Sequence, residues 1–132
     1  MINLNEDLKM ARIVRNEARS RSYNVGAVLK CKNGNKYVGC NIENQGIQSI
    51  CAERVAFVSA MAQGETDFER IVVIGGPKDS DELERCLPCG YCRQFMNEFV
   101  DKDFKIYTAY DNKIEEYTLD ELLPYAFSKK DK

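Results

Sequence analysis

The chain has 132 residues, of which 44% are hydrophobic and 30% charged, and its formal net charge at pH 7 is −2. This length suffices for a hydrophobic core, so we expect a single domain over residues 1–132. No apolar run reaches the roughly 18–20 residues of a membrane span, and proteins that bind nucleic acid usually present a basic face, so neither a membrane nor a nucleic acid polymer is the expected partner.

Helical and strand patterns alternate along the chain. The Asn33-Gly34 pair between two β-prone runs predicts a hairpin turn, and Gly64 is placed to end a mostly buried helix. The predicted helices cover residues 5–19, 52–63, 89–100 and 119–123, and the predicted strands cover 23–31, 36–42, 71–74, 104–109 and 114–118. This order predicts an α/β fold layered around one sheet, with a frayed tail from about residue 128.

The numbers of cysteine and histidine residues limit the catalytic and metal-binding groups that the chain can supply. The chain has six Cys and no His, which excludes an imidazole base, a His ligand and any dyad built on His. Residues 1–7 lack the basic and apolar regions of a secretory signal, so the expected location is the cytoplasm. In a reducing compartment, clustered cysteines are more often metal ligands or catalytic thiols than disulfides.

The strongest local signal is Cys89-Gly-Tyr-Cys92, which follows Pro88 at a predicted helix start. Two thiols at this spacing suit one tetrahedral zinc, and a helix N-terminus lowers their pKa values. Redox-active dithiols have the same spacing, so the motif alone does not distinguish a metal site from a redox site.

A second motif, Cys51-Ala-Glu53, opens the preceding predicted helix. Cys51 adds a third ligand to Cys89 and Cys92, and catalytic zinc sites typically use three protein ligands and leave the fourth position to water. Glu53 lies two residues beyond its ligand, close enough to exchange protons with such a water without ligating the metal. The two motifs together favour a catalytic zinc over a structural one.

The other candidates have weaker signals. Arg54 can donate hydrogen bonds to ligand sulfurs and withdraw charge from a three-thiolate zinc, although alone it would be read as a surface residue. Cys31 and Cys40 fall in predicted strands and are expected to be small buried residues. Cys86 continues the spacing Cys86-x2-Cys89-x2-Cys92, which leaves an iron–sulfur cluster or a closed four-thiolate zinc as alternatives.

Taken together, these motifs resemble the short, homotetrameric cytidine deaminases over nearly the whole chain. Zinc deaminases that act on nucleobases use this kind of ligand set with a Glu that does not bind the metal. The matching segments, in chain order, are 25–27, 39–44, 51–54, 88–94 and 121–127.

The resemblance implies a five-stranded mixed sheet flanked by helices, with one zinc per subunit between two helix N-termini. It also implies an activity, the deamination of cytidine or deoxycytidine to uridine or deoxyuridine, as in pyrimidine salvage. Glu53 would carry the protons, and the Ala52 backbone would contact the base. The resemblance also implies a homotetramer whose neighbouring subunits complete each site. The residues it adds to nucleoside binding are Asn41 and Glu43 at the ribose, Tyr23 near the nucleoside, and Phe127 inserted into a neighbour's site.

Three segments depart from the family pattern. The segment 45–50 lacks the usual aromatic residue and is one residue shorter. The segment 19–22 (Arg-Ser-Arg-Ser) replaces the usual Pro-Tyr-Ser, and the loop 77–85 is longer and more acidic. The first and third changes also occur in the related blasticidin-type deaminases, so an aminohydrolase with another cytosine-like substrate is the main alternative. A structural zinc module is the remote one.

Overall fold

The computed structural model describes residues 2–127 as one mixed five-stranded sheet with helices on both faces. This confirms the expected α/β class. No helix among these residues is long and apolar enough to cross a membrane. The helices are α1 (Asn5–Arg15), α2 (Ala52–Ala62), α3 (Gly90–Asn97) and α4 (Leu119–Leu122), and the strands are β1 (Tyr23–Cys31), β2 (Lys36–Cys40), β3 (Phe68–Pro77), β4 (Lys105–Tyr110) and β5 (Lys113–Thr118).

The sheet order, β2-β1-β3-β4-β5, explains where the site forms. β2 and β3 both run antiparallel to β1, with Cys40 opposite Gly26 and Pro77 opposite Tyr23. The carboxyl ends of β2 and β3 therefore lie beside the start of β1. The two segments that lead to α2 and α3 leave the sheet at this shared edge, which brings the two helix N-termini together.

Two hydrophobic layers cover the sheet. Leu29 and Cys31 of β1 face α2 and α3, while Val28 faces α1. Successive side chains of a strand point to opposite faces, so a strand covered on both faces is apolar without alternation. The expected burial of two strand cysteines is confirmed, since Cys31 is 0% and Cys40 is 8% exposed.

Several predicted boundaries are wrong. α3 ends at Asn97 and not at residue 100, and β2 ends at Cys40 and not at residue 42. α1 ends at Arg15 and not at residue 19, because Arg19 leaves the helix and donates its main-chain N–H to the Asn41 carbonyl at 3.0 Å. β3 covers Phe68–Pro77 and not only 71–74, because it pairs with β1 along the whole of that strand. The last two differences come from pairing with segments distant in the sequence. The predicted tail beyond residue 127 lies outside the described residues.

The acidic loop 77–85 is tied to the fold by Arg15. Its buried guanidinium donates to the carbonyl oxygens of Pro77 (2.9 Å) and Ser80 (3.1 Å) in the loop and of Asn24 (2.9 Å) in β1. One cation of α1 thus fixes the segment that connects β3 to α3.

A buried ion pair joins α1 to the sheet and provides a stability prediction. Asp7 is 1% exposed, and its carboxylate lies 2.8 Å from the Arg70 Nε and 2.6 Å from the Lys36 Nζ. Asp7→Asn leaves the Arg70 cation without its buried partner, so we expect it to lower the free energy of unfolding by about 3–5 kcal/mol at pH 7. Urea unfolding measures this change, and Asp101→Asn, in an exposed pair with Lys32, should have a much smaller effect.

The pH dependence of the stability difference between the wild type and Asp7→Asn tests whether the ion pair causes that difference. Burial raises the pKa of Asp7, but hydrogen bonds from Arg70 and Lys36 lower it by more, so the folded-state pKa lies below the ordinary value of 3.8. The stabilisation is therefore complete above pH 4 and lost as the pH falls through the folded-state pKa. The gap between the wild type and Asp7→Asn should narrow below about pH 4. A gap that stays constant down to pH 2 would contradict the ion-pair explanation.

Candidate metal centre and active site

Two helix N-termini bring three thiols together. Cys51 and Cys89 are the N-cap residues of α2 and α3, and Cys92 lies in the first turn of α3. The three sulfur atoms lie within 4.8 Å of one another, and the Cys51 and Cys89 sulfurs are 3.9 Å apart. Zinc–sulfur bonds of about 2.3 Å in a tetrahedron separate the sulfurs by about 3.8 Å, so the cluster fits one zinc ion.

The surroundings of Cys51 favour the ionised form of its thiol. Hydrogen bonds donated by the Cys92 thiol and by Arg54 outweigh burial and lower the pKa of Cys51 to about 5. The Nη2 of Arg54 lies 3.8 Å from the Cys51 sulfur, and its guanidinium carbon lies 4.3 Å from the centre of the Tyr91 ring. Three thiolates and one bound zinc would carry a net charge of −1, which the Arg54 guanidinium would balance.

Glu53 lies beside this cluster and is 4% exposed. Burial raises the pKa of its carboxyl to about 7, and the nearby Cys51 thiolate also raises it. The residue follows Cys51 in the first turn of α2 and lines the same cavity. The structure therefore puts one protonatable carboxyl at the metal centre, as the sequence motif predicts.

A cavity of about 360 Å³ opens onto the cluster. Ala52, which is fully buried, contributes to its wall at the start of α2. Several lining residues, among them Ser49, Ile50 and Leu87, belong to no motif in the sequence that would indicate a role for them. The lining residues are Arg21, Val25, Asn41, Glu43, Ser49, Ile50, Cys51, Ala52, Glu53, Cys86, Leu87 and Cys89.

Asn41 and Glu43 lie side by side in the wall of the cavity. The Asn41 amide donates to the Tyr23 carbonyl at 2.8 Å and accepts from the Val25 N–H at 2.9 Å, so it also joins the end of β2 to β1. The Glu43 carboxylate accepts from the Asn41 amide at 3.3 Å and from the Arg21 main-chain N–H at 3.0 Å. Glu43 thus retains lone pairs for a ligand hydroxyl, whereas most of the Asn41 amide is occupied by β1.

Tyr23 and Phe127 are not brought together with the cluster in this chain. The Tyr23 ring lies over Gly75, where an added Cβ would be 2.9 Å from a ring carbon, and its side chain is not part of the cavity wall. Phe127 is held through its backbone by Gln94, at 3.0 Å and 3.2 Å, while its side chain is 79% exposed.

Cys86 lies apart from the three clustered thiols but in the same cavity. Its sulfur packs against Gly75, and burial raises the pKa of its thiol to about 12. Among the described residues the metal-ligand geometry therefore includes three cysteines and not four. This disfavours the iron–sulfur and four-thiolate alternatives.

The close contact of β2 with α2 makes the position of Cys51 sensitive to one glycine. A Cβ at Gly39 would lie 2.3 Å from the Ala52 carbonyl oxygen and 2.6 Å from the Ala56 nitrogen. Gly39→Ala should therefore displace α2, cost about 1–3 kcal/mol of unfolding free energy and weaken zinc binding. Calorimetry and zinc titration measure both effects. Gly90→Ala is the matched control, because no heavy atom lies within 4 Å of its added Cβ, and equal losses in both variants would refute the explanation.

Comparison with known proteins agrees with this geometry. Residues 2–108 match the family model described as the cytidine and deoxycytidylate deaminase zinc-binding region. A cytidine deaminase of Sporosarcina psychrophila is 41% identical over 109 residues, which cover 81% of this chain and 76% of the relative. A blasticidin-S deaminase of Bacillus cereus is 31% identical over 112 residues, covering 81% and 79%.

A solved structure extends the likeness to the fold. The crystal structure of cytidine deaminase from Burkholderia pseudomallei superposes with a TM-score of 0.82 and 29% identity, covering 96% of this chain and all of that one. The thiol cluster, the adjoining carboxyl and the sheet that positions them occur together with this sequence similarity. The chain belongs to the zinc-binding cytidine and deoxycytidylate deaminase family.

Proposed function

We propose that the protein is a zinc-dependent hydrolytic deaminase that converts cytidine and deoxycytidine to uridine and deoxyuridine with release of ammonia. The observation that carries the proposal is the buried Glu53 carboxyl in one cavity with Cys51 and Cys89, whose sulfurs cluster with that of Cys92. The relatives named as cytidine deaminases support the substrate.

The reaction replaces the exocyclic amine of the cytosine ring by the oxygen of water. Cys51, Cys89 and Cys92 would hold the zinc, which when bound supplies a Lewis acid that makes water nucleophilic at neutral pH. The Glu53 carboxylate accepts the proton of the attacking water, delivers it to ring N3 and passes a proton to the departing amine. Arg54 neutralises the thiolate charge through its contact with the Cys51 sulfur.

The remaining cavity residues orient the nucleoside. The Ala52 backbone contacts the base at the start of α2. The Glu43 carboxylate, supported by Asn41, receives a sugar hydroxyl, and a site built to hydrogen-bond a hydroxyl rejects analogues that lack it. The Tyr23 ring lies over Gly75, which also contacts the Cys86 sulfur, so Tyr23 would act on the nucleoside only through the cavity wall.

We also propose a homotetramer in the cytoplasm, acting in pyrimidine salvage. The exposed Phe127 side chain supports this assembly, because its backbone is fixed to α3 while its ring projects away from the chain. In the tetramer, Phe127 would complete a neighbouring subunit's cavity. Sedimentation of the wild type and of Phe127→Ala, with assays of both, tests this part.

A spectrophotometric substrate panel tests the activity. We expect turnover of cytidine and deoxycytidine, with free cytosine far poorer because it lacks the sugar that Glu43 binds. Blasticidin S belongs in the panel because the 31% identical relative carries that name. Zinc-loaded protein that releases no ammonia from any cytosine compound would instead indicate a structural zinc module. Better turnover of cytosine than of cytidine would overturn the sugar-binding role of Asn41 and Glu43.

A further inference from the structure

Tyr91 belongs to the second cysteine motif, but neither the metal site nor the proposed reaction assigns it a role. It is the second residue of α3 and lies between Cys89 and Cys92. Its side chain is 66% exposed and belongs to neither hydrophobic layer of the sheet. One face of the ring is nevertheless covered, because the guanidinium carbon of Arg54 lies 4.3 Å from the ring centre. This contact joins α3, which supplies two of the thiols, to α2, whose N-cap is the third.

Hydrogen bonds alone hold the Arg54 guanidinium loosely. Its Nη2 donates to the Ser49 carbonyl at 3.3 Å and to the Cys51 sulfur at 3.8 Å, and both contacts are long. Its Nε is buried and, within residues 2–127, has no hydrogen-bond partner. The buried Arg15 differs, because three of its nitrogens donate to carbonyl oxygens at 2.9 Å, 3.1 Å and 2.9 Å. The orientation of Arg54 therefore depends largely on the face of the Tyr91 ring.

The orientation of this guanidinium matters because it contacts a metal ligand. Residues that hydrogen-bond to metal ligands orient them and tune the metal, and their loss typically weakens metal binding or activity about 10–100-fold. A cation within about 6 Å of an aromatic ring centre is attracted to the face of the ring, and the attraction is stronger where water is partly excluded. Arg54 is partly buried beneath the Tyr91 ring. A residue that fixes Arg54 should therefore affect the zinc site in the same direction as Arg54 itself, but less strongly.

We propose that Tyr91 is a positioning residue, whose ring holds the Arg54 guanidinium against the Cys51 sulfur and so links the two helix starts that supply the zinc ligands. The inference deepens the proposed function and rests on its zinc site. The aromatic face is the part of the side chain that acts, because it is the ring centre that the guanidinium covers. Since Tyr91 lies outside both hydrophobic layers, its replacement should leave the core of the fold intact.

Zinc affinity, measured by competition with a chromophoric chelator, tests this role without turnover. Tyr91→Leu should raise the zinc dissociation constant about three- to tenfold, because the guanidinium loses the ring that orients it. Tyr91→Phe keeps the ring and should match the wild type. With cobalt(II) in place of zinc, the thiolate-to-metal absorption should shift in Tyr91→Leu and not in Tyr91→Phe, because the Arg54 contact alters the charge on the Cys51 sulfur. In cytidine assays, Tyr91→Leu should lower kcat more than it changes KM.

A double-mutant cycle with Arg54→Gln tests whether Tyr91 acts through Arg54. In the Arg54→Gln background, Tyr91→Leu should have no further effect on the zinc dissociation constant, because the effects of residues that act as one unit are not additive. Additive losses in the double variant would overturn the inference. Equal losses in Tyr91→Phe and Tyr91→Leu would also overturn it, since the ring would then be irrelevant.

Tyr110→Leu is the matched control. It removes a ring whose centre lies 4.7 Å from the Lys113 Nζ, where β4 turns into β5, so the zinc dissociation constant should stay at the wild-type value. Sedimentation of the same variants separates the role from a subunit contact. Tyr91→Leu that changes the assembly but keeps the wild-type zinc affinity would overturn the inference. Absence of any deamination would refute the proposed function, and the zinc affinities and cobalt spectra would still decide the role of Tyr91.

Discussion

Glu53→Gln is expected to reduce kcat for cytidine about 10²–10⁴-fold while leaving the zinc content and the fold unchanged. The amide occupies nearly the same volume as the carboxyl in its buried position, so α2 and the three thiols should keep their arrangement. It can neither accept the proton of water nor return one to the ring. Stopped ammonia-release assays at saturating substrate measure the effect, with zinc quantified on the same samples.

The control for this variant is Glu82→Gln, which makes the same chemical change in the exposed loop 77–85. Its kcat should match the wild type. Because the proposed role is proton transfer and not binding, the KM of Glu53→Gln should change far less than its kcat. A variant that retains zinc and the wild-type kcat would show that another group moves the protons.

Cys89→Ser is expected to lower bound zinc from about one ion per chain to less than about 0.1 after dialysis, and activity with it, because the neutral hydroxyl replaces a thiolate ligand. Cys86→Ser should keep its zinc. Although Cys86 lies only three residues before Cys89, its sulfur packs against Gly75 and outside the cluster. Metal analysis of the two variants compares the same substitution at neighbouring positions.

Activity of Cys86→Ser gives additional information, since the residue lines the cavity. We expect any change to appear in KM more than in kcat, because the Cys86 side chain lines the cavity and takes no part in proton transfer. Equal zinc loss in Cys86→Ser and Cys89→Ser would show that four cysteines bind the metal and that the open catalytic position does not exist.

Much of the site was predictable because its chemistry is local in the sequence. Cys51 and Glu53 belong to one helix start, and Cys89 and Cys92 to another, so the spacing within each motif indicates groups that act together, although it left Cys86 as a further candidate ligand. The β1–β2 hairpin could also be predicted from the sequence, because its turn depends on Asn33-Gly34. Gly34 adopts the positive φ of 97° that this turn requires.

Other features depend on contacts between distant segments and have no local signal. Ser22 and Lys78 are far apart in the chain, and the Lys78 N–H donates to the Ser22 carbonyl at 2.8 Å only because β1 and β3 are antiparallel neighbours. The end of α1 was predicted four residues too late because the pairing of Arg19 with the segment after β2 stops the helix, and helical periodicity does not report such pairing. The direction of the Tyr23 ring, towards Gly75, is likewise a result of packing.

The sequence by itself determined the chemistry of this protein: three thiols, one carboxyl and no histidine, at spacings that suit a zinc-dependent deaminase. Ligand spacing within a helix turn is fixed by covalent geometry, so it can be read without a fold. Only the tertiary structure decided that Cys86 lies outside the metal cluster and that Asn41 is largely occupied by β1. These depend on which strands pair and at what register, and therefore on the free energy of the whole chain.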